Sequence, residues 1–425
     1  MFSLPKISLP SFLRAGTGGS YPKVDIPSVE VHDIETAAEK RPRTLKHLLK
    51  ANHANYSILY HDLRFHNHAP HILGSAYILG GTAEHLNVIY EKEAEELEAW
   101  KDSPGEISKD DWRDFLGKKE YQRAFIDFFE DQLVSNRYNL QELLDEYLLG
   151  GKEPLINGMI SGLAHPLIHL GYAYELDSTT VAIEALAMGA CVYSPLHKYI
   201  DDPKYTKPSA IRESEPDKTS LFDLLDKVRH DKRFDGLYDH GSGDISKVLE
   251  EREEAFLEYW NAWEITEPTK QFQEAQSLAA AILLETPTPA KGKFDFFLVH
   301  VLTSSHATRI LLPLVPAKFH VNLLRQWWLF ALAVYIAQTR PEIKHGSLNE
   351  LDISSKTWKH VVHNALDGPH STDAHYVKCL RALKVCAETW GDDNQYYLKA
   401  AIRFADGFED WGGFSTEADP SRYPY

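Results

Sequence analysis

The stretch GKFDFFLVHVLTSSHATRILLPLVPAKFHVNLLRQWWLFALAVYIAQ, Gly292 to Gln338, decides the fold. It holds two long apolar segments, 292–312 and 316–338, parted by Pro313 and Pro316. Neither alternates apolar with polar residues as a half-buried strand does, and both exceed ordinary strand length. Proline breaks a helix interior, so the pair reads as two helices with a turn between them. Pro287 and Pro289 set them off from a third apolar helix over 267–286. The longest unbroken apolar run, Trp327 to Ala337, falls well short of the ~20 residues that span a bilayer. It predicts a buried core helix.

The same pattern extends outward. From Thr44, the residues Leu45, Leu48, Leu49, His53, Ile58 and Leu59 recur near a 3.6-residue period. A helix is expected over Ala69 to Gly80, stopped by Gly80-Gly81, with Thr82 as N-cap of the next. That next helix runs into Glu91-Lys92-Glu93-Ala94-Glu95-Glu96, which reads as a solvated face. Residues 101–152 predict acidic, aromatic helices, and 155–200 the core. A surface loop is expected over 201–218 and a helix start at Ser242-Gly243-Asp244. Thr357 to Ala365, Thr372 to Trp390 and Asn394 to Asp406 complete the helices. No strand or hairpin signal and no repeat stands out. The expectation is all-α: an arm over 1–40 lying on the surface, one multi-helix unit over 41–425, and an aromatic tail, Trp411 to Tyr425, packed back on the body.

Composition narrows the function. Apolar content is 43% and charged content 25%, ordinary for a globular protein. The net charge of −17 argues against nucleic acid and against anionic membranes as partners. Cys191, Cys379 and Cys386 form neither a disulfide framework nor a zinc ribbon, so a reducing, cytoplasmic location is expected. The N-terminus is interrupted by Pro5, Lys6, Pro10 and Arg14 and lacks the apolar core of a signal peptide.

Three histidine clusters carry the chemistry. His165 and His169 are four apart, share a helical face and suit one metal. No glutamate follows His165, so a zinc-protease motif is absent, and Pro166 places His165 at a helix start or kink. His68 and His71 share a face, from which His66 points away, and Pro70 puts a helix start inside the motif. His300 lies in Phe296-Phe297-Leu298-Val299-His300-Val301-Leu302 and needs a buried partner. Thr303, on the same face, could touch a ligand or substrate; His306 lies off it. The alternative for each pair is a core or capping histidine bound to a carbonyl. No Gly-x-Gly-x-x-Gly motif marks a flavin or NADPH fold.

The strings FHNHAPH (Phe65–His71), HPLIHLGYAYE (His165–Glu175), DFFLVH (Asp295–His300) and DAHYVK (Asp373–Lys378) resemble the questin oxidase-like family. The resemblance runs from about residue 44 to 406, and its second string is the most specific. It implies a fungal polyketide enzyme that opens the central ring of an anthraquinone or anthraquinol with O2, giving a benzophenone-type product. It also implies a non-haem iron(II) dioxygenase, with a buried metal between helices held by four histidines and a carboxylated lysine. That lysine is Lys378, whose carbamate, made from CO2, would supply the anionic oxygen ligand. The ligand set draws on His68, His71, His165, His169 and His300, with His66 and His375 orienting a ligand or accepting a proton. Trp327, Trp328, Tyr172 and the tail are expected either to line an aromatic cavity or simply to fill the core. Alternatives are an NADPH-linked Baeyer–Villiger-type monooxygenase on the same substrates, a zinc hydrolase, and a non-catalytic helical scaffold. NADPH would act through a partner such as a quinone reductase, or at a site that no motif marks.

Overall fold

The computed structural model describes residues 21–414, so the arm before residue 21 and the tail beyond 414 lie outside the described residues. Within them the chain is all-α. The long apolar stretches form the helices Pro268–Leu284, Phe296–Leu311 and His320–Ala337, and the downstream set is Trp358–Asp367, Ala374–Trp390 and Tyr396–Gly407. Upstream lie Lys40–Asn55, Ala69–Ile78, Ala83–Ala94, Gln122–Ser135, His165–Glu175 and Thr179–Cys191. Thr82 caps its helix as expected, and the ring of His85 returns the bond to the Thr82 amide, closing a capping box.

Three expectations need correction. The first helix ends at Asn55, and Leu59 belongs instead to a two-residue antiparallel ladder, Leu59–Tyr60 with Phe65–His66. A parallel pair, Lys293–Asp295 with Asp410–Gly412, also forms. Alternation needs about four residues to register in a sequence, and these strands are shorter. The 201–218 loop carries two short helical turns, Pro203–Tyr205 and Ala210–Ser214.

Four helices pack in a closed ring that positions the site. His165–Glu175 lies against Phe296–Leu311, which meets Ala374–Trp390; that helix contacts Ala69–Ile78, which returns to His165–Glu175. Backbones come close at Gly171, where a Cβ would stand 3.3 Å from the backbone of Ala307. Trp327 donates its indole N–H to the Val301 carbonyl at 3.0 Å, and Trp328 is fully buried against Trp263. Both tryptophans therefore fill the core. No single helix among the described residues is long and apolar enough to cross a membrane, although one bent pair passes by length and composition.

A buried ion pair pins one side of the ring. Arg381, on the Ala374–Trp390 helix, bonds Glu175, on the His165–Glu175 helix, and their side chains are 1% and 3% exposed. Its guanidinium also lies over the ring of Tyr172, whose hydroxyl meets the Ser75 hydroxyl at 2.6 Å. Three of the four helices are thus joined by polar contacts in a dry interior. Glu175→Ala leaves Arg381 buried without its counter-charge and is expected to cost about 3–5 kcal/mol. Urea unfolding measures this. The double variant Glu175→Leu with Arg381→Met should recover most of the loss.

Candidate metal centre

The ring brings the separated histidine clusters together at helix starts. His68 is the N-cap of Ala69–Ile78. It is held there by Asn67, whose Oδ1 accepts from the Ala69 amide while its Nδ2 donates to Asn52 Oδ1 and the Ser57 carbonyl. His165 is the first residue of its helix, with Pro166 in the first turn. The turn before it runs left-handed through Gly162, Leu163 and Ala164, at φ 58°, 51° and 62°. Such backbone is unfavourable for Leu and Ala. It directs the Gly162 carbonyl to within 2.8 Å of His165 Nδ1. Asp295 caps the His300 helix through the Phe297 and Leu298 amides. Asp373 caps the His375 helix through the His375 and Tyr376 amides, and its other oxygen accepts from the Trp411 indole at 2.7 Å. The last described residues therefore fold over this end of the site.

Three imidazoles converge here, those of His68, His165 and His375, and His300 adjoins them. Between Nε2 atoms, His68 and His165 stand 3.0 Å apart, and His300 and His375 3.2 Å apart. The ligating atoms of His68, His165 and His375 all lie within 4.8 Å of one another. Tautomers can be assigned from partners that only accept. His165 Nδ1 must donate to the Gly162 carbonyl, and His300 Nδ1 to the Phe296 carbonyl at 2.7 Å. Burial, followed by nearby positive charge, pushes His68, His165 and His375 well below the usual histidine range. Burial and then Lys378 push His300 down to about 3. The rings are therefore neutral, and His165 and His300 present bare Nε2 lone pairs. Two nitrogens each about 2.1 Å from one ion, at right angles across it, stand about 3.0 Å apart. The separations within the triad His68, His165 and His375 fit a shared first-row metal ion, with His300 adjoining it through His375.

Lys378 lies four residues from the N-cap-proximal Ala374, fully buried, and burial brings its ammonium down to about 7. Its Nζ faces His71 Nδ1 at 3.4 Å. His71 Nε2 meets His169 Nδ1 at 3.0 Å, and His169 Nε2 meets Glu184 Oε2 at 2.9 Å. Glu184 Oε1 meets His53 Nδ1 at 2.9 Å, and His53 Nε2 meets Glu130 Oε1 at 3.1 Å. Both nitrogens of His71 and of His169 are engaged in this row rather than in the imidazole cluster. His375, in contrast, joins that cluster. His66 stacks on His165 with ring centroids 3.9 Å apart. It sits in a strand, so the helical-face argument that turned it away does not apply. Thr303 donates its hydroxyl to the Val299 carbonyl of its own helix at 3.2 Å, and His306 is buried beside Arg381 and Arg309.

Two carboxylates escape the sequence reading. A 240 Å³ cavity opens on His66, His68, His165 and His375, walled by Phe65 and Phe296. Glu93 also lines it, and burial, reinforced by Asp373, raises its carboxyl to about 7. Its signal was the spacing Leu86, Ile89, Glu93, which places it on the inward face rather than the solvated one. Glu184 is 1% exposed, alone among apolar neighbours on Thr179–Cys191, and such a residue requires partners. A second cavity of 560 Å³ lies behind Gly162 and Leu163. Tyr172 lines neither cavity; it stacks on His71 within the core.

Fold and site together define an all-α protein built around a buried cluster of imidazoles. The chain belongs to the Questin oxidase-like family, whose family model matches residues 65–383. It is 27% identical to a questin oxidase of Aspergillus fumigatus, over 79% of each chain. It is 25% identical to a Baeyer-Villiger oxidase of Emericella nidulans, covering 83% of this chain and 84% of the relative. A Baeyer-Villiger oxidase of Pestalotiopsis microspora is 24% identical over 79% of each.

The acidic partners of His53 yield a pH signature. Burial opposes its charge, but hydrogen bonds to Glu130 and Glu184 outweigh burial and push it up to about 9. This stabilisation is fully present below the unfolded value of 6.5 and is lost as pH rises through about 9. At about 1.4 kcal/mol per unit it amounts to at most about 3 kcal/mol. Denaturant unfolding from about pH 6 to about pH 10 should show wild type losing more stability than His53→Gln. Parallel curves would remove the charge from His53.

Proposed function

We propose that this protein is a non-haem iron(II) dioxygenase that opens the ring of an anthraquinone-type substrate. His68, His165, His300 and His375 would hold the metal, and Lys378, as its carbamate, would supply the anionic ligand. The observation that carries the reading is the convergence of three neutral imidazoles, His68, His165 and His375, with His300 against His375, beside a buried lysine brought to about 7. A lysine must be neutral to capture CO2, and its carbamate would bring negative charge among rings otherwise packed against a cation. The substrate class rests on the name of the Aspergillus fumigatus relative, a questin oxidase.

Iron(II), when bound, supplies the one-electron chemistry that lets O2 react with an electron-rich ring. The chain's own residues do the rest. Gly162 and Phe296 hold two ligand tautomers through their carbonyls. Phe65 and Phe296 offer flat apolar walls to an aromatic ring. The 240 Å³ cavity is smaller than the ~300–1,000 Å³ of common ligand pockets, so it takes the reacting end of a tricyclic substrate. Glu93, with its carboxyl near neutrality, is placed to accept a proton from a substrate hydroxyl. Where the substrate enters as a quinone, its reduction to the hydroquinone would fall to a partner quinone reductase or to a site without a Gly-rich nucleotide motif.

A second reading is favoured by the names of the relatives, several of which are Baeyer-Villiger oxidases: insertion of a single oxygen atom with NADPH as reductant. Turnover under ¹⁸O2 separates them. Both atoms of O2 in the product support the dioxygenase; one atom, with NADPH consumed, supports the monooxygenase. Elemental analysis of anaerobically purified protein is expected to find iron near one equivalent. Zinc alone, with no O2 uptake on an anthraquinol, would revive the hydrolase. Lys378→Ala and His165→Ala should each lower retained iron by roughly tenfold or more, since even outer partners of metal ligands cost 10–100-fold.

A further inference from the structure

The row of side chains from Lys378 to Glu130 has a direction. Glu184 can only accept, so His169 Nε2 carries the proton in that bond. Lys378 can always donate, so His71 Nδ1 accepts from it, and a neutral His71 then donates from Nε2 to His169 Nδ1. Every hydrogen between Lys378 and Glu184 thus points outward. Beyond Glu184, His53 bridges two carboxylates, Glu184 and Glu130, and donates to both. The Glu130 side chain is 45% exposed and meets solvent, whereas those of His169 and Glu184 are 0% and 2% exposed. An unbroken hydrogen-bonded path therefore leads from the histidine chamber to the surface. It spans helices distant in sequence: Ala374–Trp390, Ala69–Ile78, His165–Glu175, Thr179–Cys191, Lys40–Asn55 and Gln122–Ser135.

We propose that His71, His169, Glu184, His53 and Glu130 form a proton conduit, and that it carries out the proton released when Lys378 takes up CO2. The idea rests on the carbamate reading above. In that step the Nζ lone pair forms the N–C bond with CO2, and one C=O electron pair moves onto oxygen. The nitrogen then sheds one N–H proton, leaving a singly negative carbamate. The buried chamber offers that proton His71 Nδ1, the group already facing Nζ. As His71 accepts it, His71 passes its Nε2 proton to His169, and His169 passes its own to Glu184. Glu184 keeps that proton, and His53, having lost a carboxylate counter-charge, releases its Nε2 proton to Glu130 and water, so one proton enters the row and one leaves it. The outward polarity of the row means that no ring has to rotate before the first proton moves. Glu184 and His53 act at a distance from the lysine and are positioning residues for proton transfer.

The test follows ¹³C-bicarbonate uptake by NMR in metal-free, full-length protein, with zinc(II) added as a diamagnetic metal. Wild type should gain a carbamate resonance that Lys378→Ala lacks. Glu184→Gln and His53→Ala should slow its appearance by roughly tenfold or more while reaching the same final intensity. His53 is partly accessible at the surface, so added imidazole should restore the rate of His53→Ala. That rescue is a response a merely structural role would not give. Wild-type rates in both variants, a lower final intensity instead of a slower approach, or no rescue by imidazole would overturn the conduit. No resonance in wild type would remove the carbamate reading itself and the conduit's cargo with it.

Discussion

The carbonyls of Gly162 and Phe296 each accept an imidazole N–H, and that leaves His165 and His300 with Nε2 lone pairs aimed into a space where charge is disfavoured. A backbone carbonyl cannot be protonated or swung aside, so the two tautomers are as fixed as the chain itself. The other rings follow from these. His68 and His375 face the bare nitrogens at distances that either one shared proton or one metal ion can bridge, never two lone pairs alone. Metal and proton therefore compete for the same positions, which is the usual source of pH dependence in metal uptake.

Helix geometry deepens this constraint. His68, His71, His165, His169, His300, His375 and Lys378 all fall within about the first turn and a half of their helices. The partly positive ends of four helices thus meet around one space. Such an environment disfavours imidazolium and ammonium and favours an anion. A carbamate on Lys378 and negative charge developing on a phenolic substrate are both of the favoured sign. The acidic caps Asp295 and Asp373 offset part of the field at the rim without entering the cluster.

Much of this was legible, in a pattern that follows from what sequence periodicity can see. The all-α class and the long helices rested on apolar runs and proline breaks, and the helices lie where those signals are dense. The two ladders were missed because strands of two or three residues leave no alternation. Burial of His300 followed from its apolar flanks. The division of labour among the histidines did not follow. Spacing of three or four residues places two side chains on one helical face, yet His68 is a cap and His66 lies in a strand. His71 and His169 instead point at each other across two helices. Glu184 and His53 show the same limit: the helical pattern locates each on a face, but which two faces meet is a property of the tertiary ring alone.

The left-handed run through Gly162, Leu163 and Ala164 carries a consequence for anyone who would engineer this protein. Leu163 and Ala164 adopt backbone that glycine tolerates better, so Leu163→Gly and Ala164→Gly look like simple routes to greater stability. The same substitutions return conformational freedom to the turn that aims the Gly162 carbonyl at His165. Adding bulk is closed off from the other side, since a Cβ on Gly162 would stand 3.1 Å from His66 Nε2 and 3.0 Å from Val192. At this turn thermal robustness and the aim of a ligand draw on the same few torsions, and a library selected for the first will tend to erode the second.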